Sequence, residues 1–214
     1  MTMLKYIILL ISIYFLAAQQ PTTYSYKTVG NLSILADVYV PSSSNYSKYP
    51  VLFCVHGGGY MLGAKNGCLS TQELSEVLSR GWSVISIDYR LSPGVVLRDI
   101  VQDMQDAYTW VRTKLVNIIP IDPNNIIVFG QSAGGGLSVI SGYKLSPPPK
   151  AVISFYPFCT NFITPYAYNP ITPLNQSLVD QAKALYTPIL TEYESLDIND
   201  PRVALFFNAL VQQK

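Results

Sequence analysis

The string Gly130-Gln131-Ser132-Ala133-Gly134 constrains this chain more than any other. Before it stands Asn125-Ile126-Ile127-Val128-Phe129, a β-branched and aromatic run of the kind that forms a fully buried parallel strand. After it, residues 133–143 can run as a helix. Gly-x-Ser-x-Gly between a strand and a helix sets the serine on a sharp turn with its hydroxyl exposed at the strand end. Positions 130 and 134 need minimal side chains, because strand and helix backbones approach closely there. A helix that starts at Ser132 favours negative charge developing beside it, and the turn aims the Ala133 amide at that charge.

A second string has the same logic. Val51-Leu52-Phe53-Cys54-Val55 reads as another buried strand, and His56-Gly57-Gly58-Gly59 follows at once. Consecutive glycines let a backbone pass close to a ligand and turn its N–H groups inward. Gly57 and Gly58 are the expected anion donors, each such donor being worth about 3 kcal/mol to an oxyanion in a transition state. His56, at the strand end, is expected to orient the loop rather than to act as a base. Gly59, Gly130 and Gly134 are expected to support the site structurally.

With these motifs in this order, four further features complete a pattern: Asp88-Tyr89-Arg90-Leu91-Ser92-Pro93, the helix carrying Asp106-Ala107 and Trp110, the Asp122-Pro123 turn, and Ser-Ala-Gly-Gly at 132–135. The chain therefore resembles the α/β-hydrolase superfamily, and within it the hormone-sensitive-lipase-like esterases and lipases, over residues 51–157 and more loosely in the flanks. The resemblance implies an α/β three-layer sandwich whose sheet is mostly parallel, with antiparallel N-terminal strands. It implies Ser132 as nucleophile, an acyl-enzyme, an oxyanion hole from Gly57, Gly58 and Ala133, a small-molecule ester substrate, and no cofactor or metal.

One feature departs from that pattern. In the family the triad runs Ser, then Asp or Glu, then His, whereas His56 is the single histidine among these 214 residues. The expectation is a chain truncated at its C-terminus, lacking the last sheet strands with the triad acid and base, and weak or inactive as it stands. Asp180, Glu192, Glu194, Asp197 and Asp200 fall in a stretch that reads as cap helices and are not assigned to the triad. Ser141-Gly142-Tyr143-Lys144 spells Ser-x-x-Lys but reads as a lysine near a helix C-terminus. The competing reading is a non-catalytic, small-molecule-binding homologue, a receptor-like pseudoenzyme.

Composition narrows the classes. Hydrophobic residues make up 49% and charged residues 13%, which favours a buried-sheet globular domain over disorder. A net charge of +1 gives no reason to expect nucleic-acid or anionic-membrane binding. Lys5 precedes an apolar run over 6–18 ending in Ala17-Ala18, which reads as a secretory signal peptide over 1–18, with an uncleaved membrane anchor as alternative. Asn31, Asn45 and Asn175 each begin a glycosylation sequon. Cys54 reads as a buried small hydrophobe, and a Cys68–Cys159 disulfide is one option for the others. The cysteine spacings fit no metal motif.

Along the chain, 23–29 and 32–40 alternate as an antiparallel pair joined near Gly30-Asn31. Ser70-Thr71-Gln72-Glu73 reads as a capping box opening a helix that stops at Gly81. A buried strand over 82–87 follows. Apolar residues at 97, 100, 101, 104, 107, 108, 111 and 115 recur with helical spacing, and 151–156 reads as a sixth strand. Strands alternating with helices imply a mostly parallel sheet covered on both faces. The domain spans 19–214, with 158–214, broken by prolines and rich in aromatics, as a partial cap.

Overall fold

The computed structural model describes residues 19–92, 94–158 and 189–192. Its elements follow in the order β1 (Thr22–Val29), β2 (Leu32–Tyr39), β3 (Tyr49–Val55), α1 (Thr71–Ser79), β4 (Ser83–Ile87), α2 (Leu97–Thr113), β5 (Ile121–Gln131), α3 (Ala133–Lys144) and β6 (Ala151–Phe155), with short 3-10 turns at Lys65–Gly67 and Leu115–Asn117. The six strands make one sheet in the order β1-β2-β4-β3-β5-β6. β1–β2 and β2–β4 are antiparallel, whereas β4, β3, β5 and β6 are parallel. Each parallel step needs a crossover, and helices supply it.

Side-chain alternation along β3 divides the core. Val51, Phe53 and Val55 face a large cluster with α2 and α3 that includes Ile100, Met104, Tyr108, Val111, Leu137 and Ile140. Leu52 and Cys54 face the other way, into a smaller cluster with Leu78 of α1, Cys68, Val84 and Phe129. Residues two apart share a face of a strand, so β3 is apolar on both sides and the sheet is buried between helix layers. This is the expected three-layer sandwich. On α2 the periodic positions 100, 104, 107, 108 and 111 are all buried, and Asp103 is buried among them.

The local signals also hold. Ser70 caps α1 with the reciprocal bonds of a capping box: its hydroxyl accepts the Glu73 N–H at 3.3 Å, and its own N–H donates to the Glu73 carboxylate at 2.8 Å. Two boundaries differ from expectation. α1 ends at Ser79 rather than at Gly81, because Arg80 caps it and Gly81 (φ +79°) turns the chain, its N–H donating to the Leu78 carbonyl at 2.9 Å. β5 runs through Asp122-Pro123, where a turn was expected. There the Asp122 carboxylate accepts the Asn124 N–H at 3.0 Å and the β3–β5 register slips between Tyr49 and Val51, so the turn survives as an irregularity inside a longer strand.

β6 is the outer strand of the described sheet, and Val152, Ile153 and Phe155 on it are exposed. The expected signal segment, Cys159, nearly all of the expected cap, and Asp180, Glu194, Asp197 and Asp200 lie outside the described residues. Among the described residues no helix is long and apolar enough to cross a membrane.

Candidate active site

Register brings the two glycine strings together. Val55, the last residue of β3, pairs with Gly130 on β5, so the chain leaving β3 at His56 runs beside the chain leaving β5 at Gln131. Ser132 sits between β5 and α3 at φ 54°, ψ −119°, a conformation that non-glycine residues avoid. Its N–H donates to the Phe155 carbonyl at 3.0 Å. Its carbonyl accepts the N–H of Gly136 at 3.0 Å and of Phe158 at 2.7 Å. Three backbone bonds thus hold a strained residue where it is.

The closeness of the backbones explains the glycines of the elbow. A Cβ at Gly130 would stand 2.2 Å from the Gly134 carbonyl oxygen, and one at Gly134 would stand 2.1 Å from the oxygen of Val55. Neither fits. The glycine loop comes close to Ser132: a Cβ at Gly57 would lie 3.5 Å from Ser132 Cβ and 3.0 Å from the Gln131 oxygen. Gly58 and Gly59 both have positive φ, 110° and 61°, and the Gly58 carbonyl accepts the N–H groups of Met61 and Leu62 at 3.0 and 2.8 Å. The loop is therefore a closed turn. Ala133, which opens α3, is fully buried.

His56 is buried against this turn. Its Nδ1 lies 2.7 Å from the Gly57 carbonyl, so the neutral ring donates there. The ring stacks on Tyr89 with centroids 4.1 Å apart and planes 8° from parallel, and the Tyr89 hydroxyl donates to the His56 carbonyl at 2.9 Å. Nε2 is buried without a hydrogen-bond partner. Neither ring nitrogen therefore bonds the Ser132 hydroxyl. Burial drives the imidazole pKa down to about 4, only partly countered by the Gly57 bond, and Lys65 adds to the lowering. A group that stays neutral and faces its own loop carbonyl is placed to brace the loop.

The string Asp88-Tyr89-Arg90 leaves β4 alongside and brings buried charges into this region. Asp88 Oδ1 accepts the Lys65 N–H at 2.7 Å, and Lys65 Nζ stands 3.3 Å from Oδ2, an ion contact without an aligned hydrogen bond. Burial raises the Asp88 carboxyl to about 6 despite those Lys65 contacts. Arg90 grips Asp103 of α2 with two side-chain bonds, Nε to Oδ2 at 2.7 Å and NH2 to Oδ1 at 2.8 Å, and its own N–H adds a third at 3.0 Å. Lys27 of β1 bonds the same carboxylate at 2.6 Å and Asp106 at 2.5 Å. Bonding to Asp103 raises the Arg90 pKa, so the guanidinium stays charged.

All the residues expected at the site are thus gathered at one end of the parallel strands. Sequence reasoning quoted Gln131 and Tyr89 only as members of motifs, without a role, and did not pick out Asp103 or Lys65. Glu192, which was not assigned to the triad, lies 3.6 Å from Lys65 Nζ and is itself well exposed. Among the described residues no group of three His, Cys, Asp or Glu side chains could hold a metal ion.

This chain is similar to several known proteins. The BD-FAE family model matches residues 36–148. The non-reducing polyketide synthase Preu6 of Preussia isomera is 37% identical over 188 residues, a match that covers 81% of this chain and 8% of that protein. The non-reducing polyketide synthase ascC of Acremonium egyptiacum is 32% identical over 220 residues, covering 89% of this chain and 10% of its own length. The chain thus spans a tenth or less of the length of these curated relatives. Among solved structures, the butyrate-bound thermophilic esterase Est2 of Thermogutta terrifontis superposes with a TM-score of 0.59 at 21% identity, over 78% of this chain and 63% of that one. Its propionate-bound form gives 0.57 at 24% identity, over 66% and 56%. These esterases share the fold. The family match takes in more than half of the residues, includes both glycine strings and agrees with the topology: the chain belongs to the BD-FAE family, esterase-like proteins of the α/β-hydrolase fold.

Proposed function

We propose that this chain carries the nucleophile and oxyanion hole of a serine carboxylic-ester hydrolase. The observation that carries the reading is Ser132, held at φ 54° on the strand-to-helix corner with Gly57 against it. In this reading Ser132 Oγ attacks the carbonyl carbon of a small ester. The N–H groups of Gly57, Gly58 and Ala133 receive the oxyanion of the tetrahedral intermediate, the alcohol departs with a proton, and water releases the acid from the acyl-enzyme. Gly59, Gly130, Gly134 and His56 hold the geometry, and no cofactor or metal takes part. No nucleic-acid or membrane partner is involved beyond the N-terminal apolar run, which directs secretion or anchors the chain.

The base is the weak point of these 214 residues taken alone. A serine hydroxyl without an adjacent base is a poor nucleophile at neutral pH, and the single histidine is committed to its loop. Enzymes stripped of triad members still retain on the order of a 10³-fold acceleration over water from binding and the oxyanion hole. Hydrolysis of p-nitrophenyl acetate and butyrate by the 214-residue chain, compared with Ser132→Ala, is therefore expected to show a small Ser132-dependent rate, far below the roughly 10 s⁻¹ of a typical enzyme. A rate of that full size would overturn the assignment of no base. A rate independent of Ser132 would favour the second reading, a receptor-like binder.

A further inference from the structure

Gln131 fills the variable position just before the nucleophile, and its side chain is bonded at both ends. Nε2 donates to the Cys68 carbonyl at 3.3 Å, and Oε1 accepts from the Tyr156 hydroxyl. The two partners belong to different segments. Cys68 is buried and closes the 3-10 turn between β3 and α1, while Tyr156 is the first residue past β6. The segment that carries Tyr156 also grips the nucleophile's own backbone, through the bonds of Ser132 to Phe155 and Phe158.

Tyr156 is unusual in two ways. Its φ is +35°, a left-handed value that a non-glycine residue keeps only where its surroundings enforce it. The residue is nevertheless 69% exposed, so close packing on all sides does not enforce it. The described restraint on the ring's far end is the hydroxyl bond to Gln131. A strained backbone, an exposed aromatic ring and one polar tether, all next to the nucleophile, are hard to explain by stability alone.

We propose that Gln131 is a positioning residue that ties the Cys68 turn and the Tyr156 ring into one frame around Ser132. The frame sets how wide a group can stand beside the serine, and the Tyr156 ring forms one wall. This inference rests on the reading of Ser132 as nucleophile and deepens it into a rule for substrate size. With the tether cut, the Tyr156 ring swings freely and discrimination between narrow and broad substituents falls.

Boronic acids test this without requiring turnover. The serine oxygen donates an electron pair to trigonal boron, the hydroxyl proton passes to solvent, and boron becomes an anionic tetrahedral centre that the oxyanion hole can hold. The dissociation constants of methyl-, butyl- and phenylboronic acid are measured by calorimetry on the 214-residue chain and on its Ser132→Ala, Gln131→Ala, Gln131→Glu and Tyr156→Phe variants. The ratio of phenyl to methyl affinity is expected to shift by about fivefold in Gln131→Ala and Tyr156→Phe, the equivalent of one lost hydrogen bond.

Gln131→Glu supplies a readout that a merely structural role would not move. An ionised carboxylate repels the Cys68 carbonyl, whereas a protonated one mimics the amide, donating to Cys68 and accepting from Tyr156. The wild-type ratio should therefore return as pH falls through the titration of that carboxyl, and Gln131→Ala should show no such return. Tyr156→Phe, altered only at one hydroxyl of an exposed residue, carries the test if Gln131→Ala fails to fold. Unchanged ratios in both Gln131 variants and in Tyr156→Phe, with Ser132-dependent binding intact, would overturn the inference alone. Binding that is the same in wild type and Ser132→Ala would overturn the nucleophile reading, and the inference with it.

Discussion

Two regions border the candidate site, and they are held together by different things. On the β3–β5 flank, backbone lies on backbone: Gly134 leaves no room for a Cβ against the Val55 oxygen, and a Cβ at Gly57 would reach Ser132 at 3.5 Å. On the β4 flank, buried charges do the holding, with Arg90 and Lys27 sharing Asp103, and Lys65 sharing Asp88. Steric support is short-ranged and indifferent to pH. Charged support stabilises only while both partners are present, since a buried charge left alone pays its full desolvation penalty. The two flanks should therefore fail in different ways.

The largest effect is expected on the charged flank. Arg90→Met removes both side-chain bonds to the fully buried Asp103 and leaves its carboxylate to Lys27 and the backbone N–H of residue 90. Breaking one side of a buried pair costs about 3–5 kcal/mol, to be read from urea unfolding of the variant against wild type. Replacing both partners, as Arg90→Met with Asp103→Leu, should recover much of that loss, because no uncompensated carboxylate remains and Lys27 keeps Asp106. A double variant no better than the single one would show that the pair holds the site by shape rather than by charge.

The steric flank should break next. Gly134→Ala sets a methyl 2.1 Å from one carbonyl oxygen and 2.5 Å from another, both of them backbone. Overpacking typically costs 1–3 kcal/mol, and here about 3 kcal/mol is expected because no flexible side chain can yield. Unlike an electrostatic loss, the deficit should be the same at pH 5 and pH 8. A variant as stable as wild type would mean that strand and helix can separate at the elbow without cost.

The same division explains what the sequence could reveal. Steric support leaves local marks: glycines at 57, 58, 130 and 134 sit within a few positions of the strands they serve, so the elbow, the loop and their order along the sheet could be read directly. Continuous apolar runs likewise gave β3 and β4, and a period of 3.6 gave α2, to within two residues. Charged support leaves none, since Lys27 and Asp103 are far apart along the chain and meet only because β1 folds beside α2. A lone aspartate among the apolar positions of α2 was a signal, but it names no partner. Gln131 escaped for another reason: the elbow motif leaves its position free, and its partners come from two other segments.

The smallest effect separates the flanks by pH. Burial lifts Asp88 to about 6 in the folded chain, against about 3.9 when unfolded. The native state then binds more protons than the unfolded state between those values, so this group's contribution is fully present below pH 4 and lost as pH rises through 6. His56 has the opposite sign. Its folded value of about 4 lies below the unfolded value of about 6.5, so its contribution is present above pH 6.5 and lost as pH falls toward 4. The two linkages oppose each other across pH 4–6, and wild-type stability should change little there on their account. Asp88→Asn removes one of them. It should be more stable than wild type by about 2–3 kcal/mol at pH 7, where Asp88 is charged and buried, and should lose that advantage by pH 4. Denaturant midpoints of both proteins at half-unit pH steps give the difference curve. A difference that stays constant with pH would mean that Lys65 fully compensates the buried carboxylate, leaving the β4 flank as insensitive to pH as the glycine flank beside it.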